Sequence, residues 1–136
     1  MNGAPAALAE AALALVGVRF RLHGRDPTRG LDCVGVVVAA LAAVGRVAHL
    51  PARYSLRRND VEVFVAAAGA VGLARSAGRL EPGDVVVLRP SAVQFHAAII
   101  GPGRDFVHAH AGLGRVVLSP LPLPWPLDHH WRLQTA

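Results

Sequence analysis

The chain holds one cysteine, Cys33, and seven histidines. A sulfur nucleophile served by an imidazole base is the first chemistry such a set could support. Cys33 follows a loop carrying Gly24, Pro27 and Gly30 and opens an apolar run that continues to Val44. That run predicts a buried helix starting at the cysteine. A helix N-terminus concentrates partial positive charge and unpaired N–H groups, and both favour the thiolate. The competing reading of a lone cysteine is a small buried hydrophobe. His96 sits inside a β-rich run, with Phe95 before it and Ala97-Ala98-Ile99-Ile100 after it. His108 sits in the next, Phe106-Val107-His108-Ala109-His110. The Gly101-Pro102-Gly103 turn between them lets the two strands pair antiparallel, which would bring His96 and His108 together on one face. A cysteine on a helix tip facing two strand histidines has a nucleophile, a base and a polar group to orient the base. His110 shares the parity of His108 and competes for the third position. One cysteine also excludes an intramolecular disulfide and the multi-cysteine zinc fingers.

These residues need a scaffold, and the length supplies one. With 136 residues, 53% hydrophobic and 17% charged, the chain can bury one core and is not disordered throughout. Aromatics are only 5%, so Ala, Val and Leu must build that core. Leu8, Ala11, Ala12 and Leu15 recur at helical spacing and predict a helix over 5–16. Cys33 to Val44 is apolar on all sides, as a central helix is, with Gly45 as its C-cap. Asn59-Asp60-Val61-Glu62 has the form of a capping box and predicts a third helix to about Val71, with Phe64, Ala67, Ala68 and Val71 inward. After Pro82-Gly83 the period changes. Short β-rich runs occupy 84–89, 95–101, 105–109 and 115–119, and glycine turns separate the last three as in a meander. Pro120 to Pro126 alternates Pro with Leu or Trp and predicts an extended segment. There are no internal repeats. Helices followed by an antiparallel sheet argue an α+β fold in a single domain over 1–136.

Charge narrows the partners. The net charge is +5, and all 14 basic residues are arginines. They are scattered from Arg19 to Arg132, and no aromatic-rich basic strand offers a single-strand binding surface, so no nucleic-acid partner is expected. The arginines read as a solvated surface that at most aids docking to an anionic wall polymer. Cys33 to Gly45, the longest uncharged apolar run, has 13 residues and is too short to span a bilayer. Met1 to Val18 lacks a basic leading segment and carries Glu10, so the chain is expected to be cytoplasmic as synthesised.

Four segments carry a family resemblance. Gly30-Leu31-Asp32-Cys33-Val34-Gly35 resembles the Gly-x-Asp-Cys-Ser-Gly motif of the NlpC/P60 cysteine peptidases. Leu80-Glu81-Pro82-Gly83-Asp84-Val85-Val86 resembles their Leu-x-Pro-Gly-Asp strand entry. His96-Ala97-Ala98-Ile99-Ile100 resembles their His-Val-Gly-Ile-Tyr strand, and Phe106-Val107-His108-Ala109 the strand carrying the third catalytic residue. The resemblance runs from about Val18 to Ser119. It implies a papain-like α+β fold and a thiol protease of the cell wall. The substrate it implies is peptidoglycan stem peptides, typically cut between D-γ-glutamate and a diamino acid, without a cofactor. It makes Cys33 the nucleophile, His96 the general base and His108 the orienting residue. Asp32 would grip a substrate amine or cap the helix. Small single-domain members encoded with phage tails or gene-transfer agents resemble the chain further, which implies a tail assembly as partner and delivery to the wall with the particle or after lysis.

Two departures stand out. Val34 replaces the motif's serine. The family's tyrosine, which helps hold the oxyanion from a Tyr-x-x-Gly-Gly segment, is absent from Phe20-Arg21-Leu22-His23-Gly24. Either Phe20 stands there without a hydroxyl, or Arg21 or His23 takes over. Two rival readings follow. One is a structural tail-assembly protein on the same fold, with His129-His130, Trp125 and Trp131 as an interaction surface rather than terminal packing. The other is a metal-binding module built from His108-x-His110 with Cys33, His96 or His23.

Overall fold

Apolar residues at helical spacing form three helices, α1 (Gly3–Leu13), α2 (Cys33–Ala43) and α3 (Val61–Ala70). The computed structural model describes residues 3–51, 55–57 and 60–135. Helix α1 buries Leu8, Ala9 and Ala12, and α3 buries Val61, Phe64 and Ala68. Helix α2 is not buried on all sides. Its opening turn is buried throughout, whereas Ala42 and Ala43 face solvent. It ends as expected near Gly45, which takes a left-handed φ of 83° one residue past the cap. There the Gly45 N–H donates to the Ala42 carbonyl and the Arg46 N–H to that of Leu41, the two bonds of a Schellman ending. The capping box is not what opens α3. Asn59 lies outside the described residues, and the cap is Asp60, whose carboxylate makes no capping bond and instead accepts from the Ser55 N–H and hydroxyl.

A short hairpin, β1 (Arg25–Asp26) and β2 (Gly30–Leu31), precedes α2. The remaining strands are β3 (Leu73–Arg75), β4 (Val85–Ser91), β5 (Gln94–Ile100), β6 (Asp105–His110), β7 (Arg115–Pro120) and β8 (Leu127–Leu133). They form one antiparallel sheet in the order β3-β8-β4-β5-β6-β7. The meander β4–β7 lies within two residues of the β-rich runs in the sequence. Strands β3 and β8 escape a sequence reading, β8 because Leu127-Asp128-His129-His130-Trp131-Arg132-Leu133 reads as polar. Its polar residues are spent inside the protein. Asp84, at the entry to β4, is fully buried. Arg132 donates to both of its oxygens at 2.8 Å, the His130 ring lies 2.6 Å away, and the Glu81 N–H donates at 2.9 Å. This cluster fixes β8 between β3 and β4.

The sheet is apolar on both faces. The helices cover one, where Val85, Val87, Ala97, Ile99 and Val107 join Val36, Leu41 and Phe64. The other face holds Val86, Leu88, Ala98, Ile100 and Phe106, and the cover there is Leu80 with Leu121 and Leu123 of the proline-rich segment. Strand β7 is four strand positions from β8, a lateral distance of about 19 Å. Pro120 pairs with Asp105 and Leu127 with Leu88, so residues 121–126 cross that face from one side of the sheet to the other.

Candidate active site

The site begins with the packing of the 19–32 loop onto the first turn of α2. The Gly24 carbonyl lies so close to Gly35 that a Cβ there would meet the oxygen at 2.0 Å. Glycine in the motif is thus a contact requirement. Asp32 is the N-cap of α2. Its Oδ1 accepts from the Gly35 N–H at 2.8 Å and its Oδ2 from the His23 N–H at 2.9 Å. One carboxylate thereby pins the loop to the helix and fixes the backbone on both sides of Cys33.

Strands β5 and β6 bring the histidines. They pair at Ile99–Val107 and Ile100–Phe106, and no further ladder pairs continue toward His96. In that stretch the His96 and His108 rings meet edge to face, with His96 Nε2 2.9 Å from His108 Nδ1. His108 Nε2 lies 2.9 Å from the Ser119 hydroxyl on β7. The Trp125 ring stands edge-on to His96 at 5.5 Å between centroids. Cys33, His96 and His108 line one cleft of about 400 Å³, walled by Phe20, Leu56 and Trp125. The thiol makes no hydrogen bond to an imidazole among the described residues.

Burial sets the resting charges. Cys33 is 1% exposed. Desolvation pushes its thiol up to about 12, outweighing the backbone N–H neighbours that favour the anion. The expectation that the helix tip makes a thiolate is therefore corrected: the resting group is a protonated thiol. Desolvation, with repulsion from His108 and His110, brings His96 down to about 3. Desolvation and His110 bring His108 down to about 4. Both rings are neutral at physiological pH. Iodoacetamide at pH 6 should therefore label native Cys33 at least tenfold more slowly than the urea-unfolded chain. Mass spectrometry of quenched time points measures this, and equal rates would mean that the folded thiol is as accessible and as acidic as in the unfolded chain.

No family profile and no curated protein matches the sequence. Solved structures do match it, closely in shape and at low identity. The NlpC/p60 domain of the peptidoglycan hydrolase SagA superposes with a TM-score of 0.66 at 20% identity, over 96% of this chain and 99% of that one. NlpC2 from Trichomonas vaginalis superposes with a TM-score of 0.68 at 20% identity, over 92% of this chain. The chain has the NlpC/P60 fold. The peptidoglycan hydrolase RipB from Mycobacterium tuberculosis is a third example, with a TM-score of 0.63 at 20% identity over 94% of this chain and 63% of its own. The chain spans 45% of NlpC2 and nearly all of the SagA domain, so it corresponds to one NlpC/P60 unit.

The NlpC/P60 fold treats the residues singled out in the sequence unequally. His108 is the histidine bonded to His96. His110 lines the same cleft, but its Nδ1 accepts from the Leu113 N–H at the β6–β7 turn. Phe20 lines the cleft and brings no hydroxyl. Arg21 and His23 line a separate shallow depression with Arg25 and Arg29, away from Cys33. Asp32 is fully buried, and its carboxylate caps the helix. The C-terminal aromatic residues divide. His130 is bound to Asp84 and Trp131 lies in the helix-side core, which is packing. Trp125, 36% exposed, belongs to the cleft. Among the described residues, no group of three His, Cys, Asp or Glu side chains is arranged to hold a metal ion.

Sequence reasoning missed Ser119, and it considered Trp125 only for an interaction surface and not for the cleft. Counting outward from the Gly112-Leu113-Gly114 turn finds Ser119, because His108 pairs with Val117 and Ser119 is the next residue on the same face.

Proposed function

We propose that the protein is a cysteine peptidase that cuts peptidoglycan stem peptides at a D-γ-glutamyl–diamino acid bond. Cys33 is the nucleophile, His96 the general base and His108 the group that orients it. The observation that carries this reading is the bonded His96–His108 pair opening on the cleft that Cys33 lines at the tip of α2. Likeness to the hydrolases SagA and RipB supports the same substrate class.

As a substrate amide approaches, His96 Nδ1 takes the thiol proton and the sulfur bonds to the carbonyl carbon. The carbonyl electron pair moves to oxygen. The Cys33 N–H, in the first turn of α2, has no intrahelical partner and donates to that oxyanion. Collapse expels the amine, which takes the proton from His96. Water, deprotonated by His96, then attacks the thioester and frees Cys33. The thiol and the imidazole start far from their ionised forms because each alone would be a buried charge. Forming thiolate and imidazolium together leaves the net charge of the cleft unchanged, so the pair costs less than the two separate shifts suggest.

Defined muropeptides incubated with reduced protein should split by addition of one water, leaving a free amine on the diamino acid. Mass spectrometry of the products identifies the bond. Intact muropeptides after prolonged incubation would overturn the reading. They would instead favour a structural tail-assembly role on the same fold, which draws on the deeply buried Cys33 and on Phe20 standing where a hydroxyl is expected.

A further inference from the structure

We propose that Ser119 is a positioning residue, which fixes the proton order along a His96–His108–Ser119 chain so that His96 presents a bare nitrogen to Cys33. The two contacts join three side chains from three neighbouring strands, each at 2.9 Å. Two proton arrangements satisfy both bonds. In one, His96 Nε2–H donates to His108 Nδ1 and His108 Nε2–H donates to the Ser119 oxygen. In the other every donor is reversed, and the remaining proton of His96 sits on Nδ1. Only the first leaves His96 Nδ1 with a lone pair, the atom that accepts the thiol proton.

The first order is available only while the far end of the chain offers an acceptor. His108 is 4% exposed, so an Nε2–H with no acceptor would be a buried unsatisfied donor. The Ser119 oxygen supplies that acceptor from β7. His108 is also neutral well below pH 7, held there first by desolvation and then by His110, so the chain works as a relay of neutral rings. When His96 becomes imidazolium, its Nε2–H already points at His108 Nδ1, and the polarised chain carries part of the charge toward Ser119.

The kinetic consequence rests on the peptidase reading, whereas the proton order is measurable without it. In protein labelled with ¹⁵N-histidine at pH 7, long-range ¹H–¹⁵N spectra should show His96 and His108 both protonated at Nε2. Ser119→Ala should shift His108, and with it His96, toward a mixture of tautomers, and Ser119→Thr should restore the wild-type pattern. In the hydrolysis assay Ser119→Ala should lower kcat roughly tenfold with KM unchanged, the scale of one lost buried hydrogen bond. Ser119→Thr should keep at least half of the rate. A wild-type spectrum with His108 protonated at Nδ1 would overturn the proposal. So would wild-type tautomers in a folded Ser119→Ala protein. A wild type without hydrolytic activity but with both rings protonated at Nε2 would overturn the peptidase reading and leave the proton order standing.

Discussion

Cys33→Ala should abolish peptide hydrolysis, with a rate loss of roughly 10⁴-fold or more, while the protein stays folded. The size follows from the chemistry. Without the sulfur no thioester forms, and the oxyanion donor and the histidines are left to act on water alone, which recovers only a small part of the rate. The fold should survive because the change removes one buried atom from the first turn of α2. The Asp32 cap and the Gly24–Gly35 contact, which hold that turn, are untouched. A urea midpoint close to wild type and a muropeptide digest monitored by mass spectrometry provide the two readouts. Cys33→Ser should be nearly as inactive, since a serine hydroxyl is a poorer nucleophile toward an amide when served by a weakly basic ring. Retention of more than about one hundredth of the rate in Cys33→Ala would place the nucleophile elsewhere.

The largest effect on stability is expected at Asp84. Asp84→Ala would strand the Arg132 guanidinium, the His130 ring and the Glu81 N–H, all of which now meet one carboxylate. Removing one partner of a buried charged cluster costs about 3–5 kcal/mol. In a domain whose whole stability is of order 10 kcal/mol, that shows as a large drop in urea midpoint. The pH dependence has a definite sign. Desolvation alone would raise the Asp84 carboxyl, but hydrogen bonds from Arg132, Glu81 and His130 hold it below its usual 3.8. Its contribution is therefore full above about pH 4 and is lost as the pH falls through the folded value. The two cleft histidines act in the same direction at higher pH. The unfolded chain takes up their protons near pH 6.5 and the folded chain does not, so stability also declines from pH 6.5 downward. Urea titrations of wild type at pH 7, 5, 3.5 and 2 should show both losses, with the histidine loss continuing down to the folded values near 4 and 3. Asp84→Ala should keep the histidine loss and show a smaller drop than wild type between pH 3.5 and 2. An Asp84→Ala midpoint within experimental error of wild type would remove the cluster from its place as the anchor of β8.

Much of this architecture is legible in the chain because its local signals agree with the tertiary structure. Cys33 to Val44 is apolar and ends at a glycine, and it is a helix. The glycine turns fall between strands of a meander, and parity places His96, His108 and His110 on one face, where the structure bonds His96 to His108. What stays hidden is non-local. Strand β8 carries two histidines, an aspartate and an arginine, and a composition reading assigns such a segment to the surface. It is a strand because Asp84, more than forty residues earlier, receives its polar side chains. The charge state of Cys33 is hidden for a related reason. Helix-tip electrostatics can be read from order along the chain, while desolvation depends on the tertiary packing that leaves Cys33 buried in the core. Asp32 could be read either way from sequence, and the cap bond to the Gly35 N–H forms only once the chain has folded.

Strand order also bears on when the molecule can first act. Strand β8 is the last strand along the chain, yet it lies inside the sheet between β3 and β4. A nascent chain emerging from the ribosome has Cys33, His96 and His108 exposed to its surroundings well before residue 127 appears. Until then β4 is an open edge, Asp84 has no arginine or histidine to meet, and the strap that sets Trp125 over His96 is untethered at its far end. Long-range pairing of this kind is slow, because loop closure precedes any reward from contacts. Strand assembly thus sets when the cleft can form: it is built only once residues 127–133 have entered the sheet. The interval before closure is when an unpaired β4 edge is most exposed to pairing with a second copy.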